Sequence, residues 1–420
     1  MTPTSGHLNT ARNNRVICLP FTPEEHERGV NDPVFFRQFL NKQFDLHPEL
    51  FPEEFAQGYR MKDIRPSKKL GVLIRRIEIG SVAYTVRPSF IMPHNTAFIE
   101  DVEKGLFLRK FSVPYWGISH TFGRDSMFWY RQEASLGRFN LVQTTVKDPK
   151  RLPDHLAADE KHTKLKGDKV YIATTVGSEC ILGCEVAEDA GNESLKGAYG
   201  IFKEEIFEVD KKYSPVSVNL DGWAATNNAW QSLFPAVAII SCILHVYIKL
   251  RDCSKKKWKD AFNLVADKFW ECYNATTKAS FSQRLRRFDE WAKYADIPEF
   301  MRKRIAKMRG NASKYSIAYD FRGSHRTSNM LDRLMQRMDR RLLATQYFHG
   351  NIRSANLAMR GWCLIVNFAP LNPTTVKKTP GLQSPAERLN GRSYHPNWLQ
   401  NLLVATSLAT GYRQPPPKPL

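Results

Sequence analysis

Cysteine is scarce in this chain of 420 residues: seven thiols stand at Cys18, Cys180, Cys184, Cys242, Cys253, Cys272 and Cys363. The number is odd and no spacing repeats, which argues against a disulfide framework and for a reducing compartment. Long apolar runs are missing as well. The longest, Phe234 to Ile248, is too short to span a bilayer comfortably and contains Cys242 and His245. The opening MTPTSGHLNTARNNR has no apolar segment fit for a signal peptide, so neither export nor membrane insertion is expected. Acids are in deficit. Against 62 Lys and Arg there are 42 Asp and Glu, a formal net charge of +20. Such a field favours long polyanions and makes their binding salt-dependent, which puts nucleic acid ahead of anionic lipid as the partner class.

What is present is enough apolar material, 42% of residues, for two or three domains with real cores. Residues 1–150 read as a first, DNA-binding region, loop-rich at the start and punctuated by proline, with one strand-like run from Val72 to Val86. Its end is more regular. Val113 to Arg138 reads as two short helices around a turn at Gly123-Arg124-Asp125, with Asp125 capping the second, a helix-turn-helix-like pattern. That second helix would carry Arg131, Gln132 and Arg138 as groove-reading residues beside Phe128, Trp129 and Tyr130.

From Leu156 the pattern turns to strands. LAADEKHTKL, the turn Lys166-Gly167-Asp168, KVYIATTVG and SECILGCEV imply a three-stranded meander. Glu193 to Lys212 follows with Leu195, Ala198, Phe202, Ile206 and Val209 at helical spacing. The strand Val216 to Leu220 then runs into Asp221. Three strands, a helix and a further strand is the order of an RNase H-like α/β core with a mixed sheet, in which the fourth strand pairs parallel to the first. Residues 151–250 would form its first part and 321–370 its last. Between them, 251–320 reads as an all-helical insertion of three Lys- and Arg-rich amphipathic segments. Thr327 to Phe348 is expected as a helix capped by Thr327 or Ser328, with Leu331, Leu334, Met335, Met338 and Leu342 as its apolar stripe. Residues 371–420 form an extension whose end, RQPPPKPL, is expected as a disordered tail.

Asp159 lies within the first strand of the meander and Asp221 at the end of the fourth, so in such a sheet both carboxylates reach one crevice, at the carboxyl end of a parallel strand. Phosphodiester cleavage at neutral pH uses a pair of divalent ions, and hard ions such as Mg²⁺ take oxygen ligands. The ordinary reading of Asp221 alone is a turn acid; joined to Asp159 and the crossover helix, the metal reading is stronger.

The ordered set Asp159, DGW at Asp221 to Trp223, FP at Phe234-Pro235, Cys242-x-x-His245, a helical insertion, and SNMLDRL at Ser328 to Leu334 resembles the catalytic domain of Mutator-like DDE transposases and their insertion-sequence relatives, over roughly Leu156 to Pro370. That resemblance implies an RNase H-like fold, metal-dependent DNA strand cleavage and strand transfer with two Mg²⁺ or Mn²⁺ ions, and terminal inverted repeats and target DNA as partners. It further implies an assembly of two or more copies on DNA, and a cytoplasmic protein on the nucleoid if the host is bacterial. It makes Asp332 the third acid, where the family usually has Glu; Asp339, two turns further along the same helix, is the rival. A catalytically silent DNA-binding descendant and an RNase H-like nuclease without strand transfer are the alternative readings.

Trp223, Cys242 and His245 belong to the motif without a defined role. Cys242 and His245, three apart, are expected on one face of a helix after the fifth strand. Two ligands alone do not make a zinc site, and a packed or DNA-contacting role is expected instead. The insertion tryptophans Trp258, Trp270 and Trp291 read mainly as core anchors. Trp291, set among Arg286, Arg287 and Lys293, is the one expected to meet DNA, as are Arg333 and Arg337 beside Asp332.

Overall fold

The computed structural model describes residues 14–67, 70–94, 97–254, 256–409 and 411–412. The expected tail RQPPPKPL lies outside them. Helices and two mixed sheets make up the chain. The first sheet has the order β1-β4-β3-β2. After β1 (Val16–Leu19) come α1 (Pro23–Asn31) and α2 (Pro33–Leu46), then β2 (Arg60–Pro66), β3 (Leu73–Ile79) and β4 (Val82–Pro88). The single run expected at Val72 to Val86 is a hairpin, reversed at Gly80, whose φ of +56° suits glycine. β1 pairs parallel with β4, and β2 is an edge strand of alternating charge, tied across the ladder by Lys62 to Glu78 at 2.7 Å and Arg76 to Asp63.

α3 (Ile99–Arg109), α4 (Tyr115–Phe122), α5 (Ser126–Leu136) and α6 (Leu141–Thr145) follow. Asp125 caps α5 as expected, its carboxylate accepting from the Phe128 N–H at 2.8 Å. α5 ends before Arg138, and its Trp129 and Gln132 are buried.

The second sheet has the order β7-β6-β5-β8-β9. β5 (His155–Leu165), β6 (Asp168–Gly177) and β7 (Cys180–Ala187) form the meander; α7 (Asn192–Phe207) crosses over to β8 (Ser217–Leu220), and α8 (Ala224–Leu233) leads to β9 (Ala238–Ser241). β8 pairs parallel with both β5 and β9. Both faces of this sheet are covered. Leu156 and Ala158 point into a core with Phe202 and Trp230, whereas Ala157, between them, points into a core with Trp362 and Leu331, the alternation a pleated strand dictates.

α9 (Leu244–Ser254), α10 (Lys259–Tyr273), α11 (Lys278–Tyr294), α12 (Glu299–Gly310) and α13 (Ala312–Ser316) share a separate core around Phe269, Phe288 and Met301. The chain returns through α14 (Asn329–Ala344) and α15 (Ile352–Phe368), the latter buried on nearly every side. α16 (Pro373–Val376), α17 (Pro385–Asn390) and α18 (Trp398–Ala405) close the described part, and Val404 of α18 packs into the core of the first sheet. No described helix is long and apolar enough to cross a membrane.

Candidate active site

The parallel ladder between β5 and β8 matches His155 with Ser217, Leu156 with Val218 and Ala157 with Asn219. Two residues past that last pair, on their respective strands, stand Asp159 and Asp221. Strand alternation sends Asp159 to the same face as Ala157, towards α14, and turns Glu160 the other way. Glu160 there accepts from Tyr199 OH at 2.8 Å and Thr226 Oγ1 at 2.7 Å. Asp221 leaves the sheet in a turn: its Oδ1 accepts from the Trp223 N–H at 2.7 Å, and Gly222 between them has φ +92°, where a side chain would be strained. Trp223 lies against Tyr171 and His162.

Asp332 is in the first turn of α14. Ser328, at the head of that helix, does not cap the backbone as expected; its Oγ donates to both Asp332 oxygens, at 3.2 Å each. Ser328 is in turn held by Cys242, whose Sγ accepts from the Ser328 N–H at 3.3 Å and lies 3.3 Å from its Oγ. The expectation of one helical face for Cys242 and His245 is corrected here. α9 begins at Leu244, so Cys242 precedes the helix and its N–H continues the strand ladder to Leu220 O at 2.7 Å. Asp339 is engaged elsewhere: Lys161, on the same face of β5 as Asp159, pairs with it at 2.5 Å.

Charge couples the acids. Burial first, then the neighbouring Asp221 and, more weakly, Asp332, raise the Asp159 carboxyl to about 6, against the opposing pull of the Glu160 N–H and His245. Glu160 is pushed to about 7, mainly by burial. Burial also raises Asp332, with Ser328 and His245 opposing. His245 is raised by the adjacent Cys242 against its burial, with Asp159 and Asp221 adding to the effect. Burial resists ionisation of Cys242, yet His245 and Ser328 together hold its thiol below the usual value. Among the described residues, no three His, Cys, Asp or Glu side chains are gathered tightly enough to hold a metal ion as they stand. The donor set is nonetheless one of hard carboxylate oxygens whose like charges oppose one another, an arrangement that a divalent cation stabilises.

The residues expected at DNA are spread over three elements. Arg131 is exposed on α5 and Arg138 is exposed just beyond it, but Gln132 is only 2% exposed and faces the core, so it is not available to a groove. Arg286, Arg287 and Lys293 are exposed on α11; Arg286 lies 3.6 Å from Glu290, and Lys293 3.6 Å from Asp289. Trp291 is half-buried and stacks on Phe288. Arg333 is exposed on α14, and Arg337 is half-buried among Arg333 and Arg340. Ser328 and Glu160 were missed. Alternation along β5 would have marked Glu160 as an acid aimed into a core, whereas nothing local marks Ser328.

Residues 159–359 match the family described as Transposase, Mutator family. The match runs from Asp159 into α15 and takes in Asp221 and Asp332, which bears out the resemblance drawn from the motif order. A glutathione S-transferase domain-containing protein of Dictyostelium discoideum is 36% identical over 69 residues, covering 16% of this chain and 26% of that protein. The chain thus spans about a quarter of that relative's length.

Proposed function

From a chain whose residues 159–359 are a Mutator-family transposase domain, we propose a DNA transposase that binds the terminal inverted repeats of its element, cuts there and transfers the freed strand to target DNA. The reading includes an RNase H-like catalytic core, to which the antiparallel meander, the crossover helix and the parallel β5–β8 pair conform. One observation carries the proposal: within the matched segment, Asp159, Asp221 and Asp332 come from two neighbouring strands and a helix to one electrostatically coupled site.

Asp159, Asp221 and Asp332 would hold Mg²⁺ or Mn²⁺, which when bound stabilises charge on the attacked phosphate and lowers the pKa of the attacking oxygen. The protein's own part is placement. The turn at Gly222 aims Asp221 out of the sheet, and Ser328 fixes both oxygens of Asp332. Asp159, raised to about 6, is mostly ionised at neutral pH and ready to bind a cation. In the first step water adds to phosphorus, the bond to the 3′ oxygen breaks, and that oxygen leaves as a 3′-hydroxyl. In the second, the 3′-hydroxyl attacks a target phosphodiester, one P–O bond forming as another breaks. No covalent protein intermediate is needed. Arg131 and Arg138 are assigned to end recognition, and the two ends of an element call for two copies of the chain.

A panel of variants tests this by strand cleavage and gel shift on the same preparations. Asp159→Ala, Asp221→Ala and Asp332→Asn should each lower cleavage by about 10³-fold or more, while DNA binding stays close to wild type. Asp339→Asn, which breaks only the Lys161 pair, should retain most activity. Cleavage by Asp159→Ala or Asp221→Ala within tenfold of wild type would end the assignment.

A further inference from the structure

Beside Asp221 lies a cavity of ≈ 280 Å³, walled by α9, α12 and α13. Three helices converge four cations on it: Lys249 from α9, Arg304 and Lys307 from α12, and Lys314 from α13. None of the four has a carboxylate partner among the described residues; Arg304 Nη2 donates to Cys253 Sγ at 3.6 Å. Asp221 is the one carboxylate in the lining, so four positive charges face a single negative one. One polar atom of a lining residue, Asn227 Oδ1, is shielded from water and has no hydrogen-bond partner. Cations that converge from separate helices onto a recess, with an unsatisfied amide oxygen beside them, define a site for an anion that also carries a donor.

We propose that this cavity binds one nucleotide of a single DNA strand, next to the bond that is cut. Its volume equals a sphere about 8 Å across, which admits one nucleotide and excludes a duplex, whose major groove alone is about 12 Å wide. The phosphate lies against Lys307, Lys314 and Arg304, and Tyr315, which also lines the cavity, offers a ring to the sugar or base. Asp221 borders both the cavity and the carboxylate site, so a strand seated here is led directly to the acids. The identity of the polyanion rests on the transposase reading; the recess and its charge do not.

The test uses the full chain in chelator, so that binding is read without cleavage. Fluorescence anisotropy compares a blunt duplex with the same duplex carrying a single-stranded extension of about five nucleotides at either end. For wild type, one extension should tighten binding about tenfold. Lys307→Ala/Lys314→Ala changes two exposed residues, so the fold is expected to survive, as circular dichroism would verify. This variant should lose the gain while binding the blunt duplex within about twofold of wild type, and its salt slope on the extended probe should fall by about 1.4, two contacts at about 0.7 each. Lys307→Arg/Lys314→Arg should keep the gain. Equal wild-type affinity for both probes, or an equal loss on both in the alanine variant, would overturn the single-strand site while leaving the transposase reading standing. Wild type that binds neither probe at low salt would instead remove the transposase reading, and this inference with it.

Discussion

Asp159 and Glu160 are consecutive residues on opposite faces of one strand, and both keep protons to an unusually high pH, about 6 and about 7. The unfolded chain releases those protons near the ordinary carboxylate values, so between about pH 4 and 7 the folded state binds more protons than the unfolded one, and stability falls as pH rises. Asp159→Asn removes the contribution of Asp159 and leaves that of Glu160. In chelator, urea unfolding from pH 4.5 to 7.5 should show the wild type losing roughly 2 kcal/mol relative to this variant, most of it below about pH 6. Parallel pH curves for the two proteins would show that Asp159 is not destabilised in the fold. Sequence alone placed Asp159 and Asp221, because strand order determines which strands are neighbours. It could not place Ser328. A serine before an apolar helix reads as a cap, and its engagement with Asp332 depends on Cys242, 86 residues away. Gln132 failed for a related reason: on a short helix with aromatics on several sides, spacing does not say which face is covered.

α14, which carries Asp332, is secured by charge at its far end. Arg341 Nη2 donates to Glu133 at 2.6 Å, and Arg109 Nε donates to the other oxygen of the same carboxylate at 2.5 Å, so one buried acid of α5 joins α3 to α14. All three side chains are essentially inaccessible to water. Removing the central acid leaves two guanidinium groups buried without their counter-charge. Glu133→Ala should therefore cost about 3–5 kcal/mol in chemical unfolding, whereas a loss below about 1 kcal/mol would mean that water replaces the carboxylate. No pattern in the sequence forecasts this triad, since its members are separated by 24 and 208 residues. The meander, the crossover helix and the insertion helices were legible because each has a clean period of 2 or 3.6. β2 was not: RMKDIRP has no apolar face, and its strand is an outcome of pairing with β3.

Across the whole molecule, the excess of 20 positive charges is the feature that any polyanion meets first. Binding to duplex DNA should weaken linearly in log–log form with salt, by about 10³-fold or more between 50 and 200 mM, if six or more phosphates are contacted. Anisotropy titrations at four salt concentrations would measure it, and a flat response would take electrostatics out of the account. The region 251–320 contributes heavily to that charge, and the way it joins the rest of the chain is informative. Its two stalks are stitched together at the base: Cys242 meets Ser328, Ile243 N–H reaches Arg326 O at 3.5 Å, and Asn219 Nδ2 reaches His325 O at 2.9 Å. In polymer terms the insertion is a closed loop, tied off where it leaves the sheet. The entropy of such a closure changes only with the logarithm of the loop's length, about 0.6 kcal/mol per doubling. Length can therefore be added to or taken from the loop with little entropic effect on the knot at its neck, although Cys242 and Ile243 of that knot pack into the same core as the insertion helices. Because that knot also holds Ser328, the partner of both Asp332 oxygens, the length of the insertion can vary with little entropic effect on the carboxylate site.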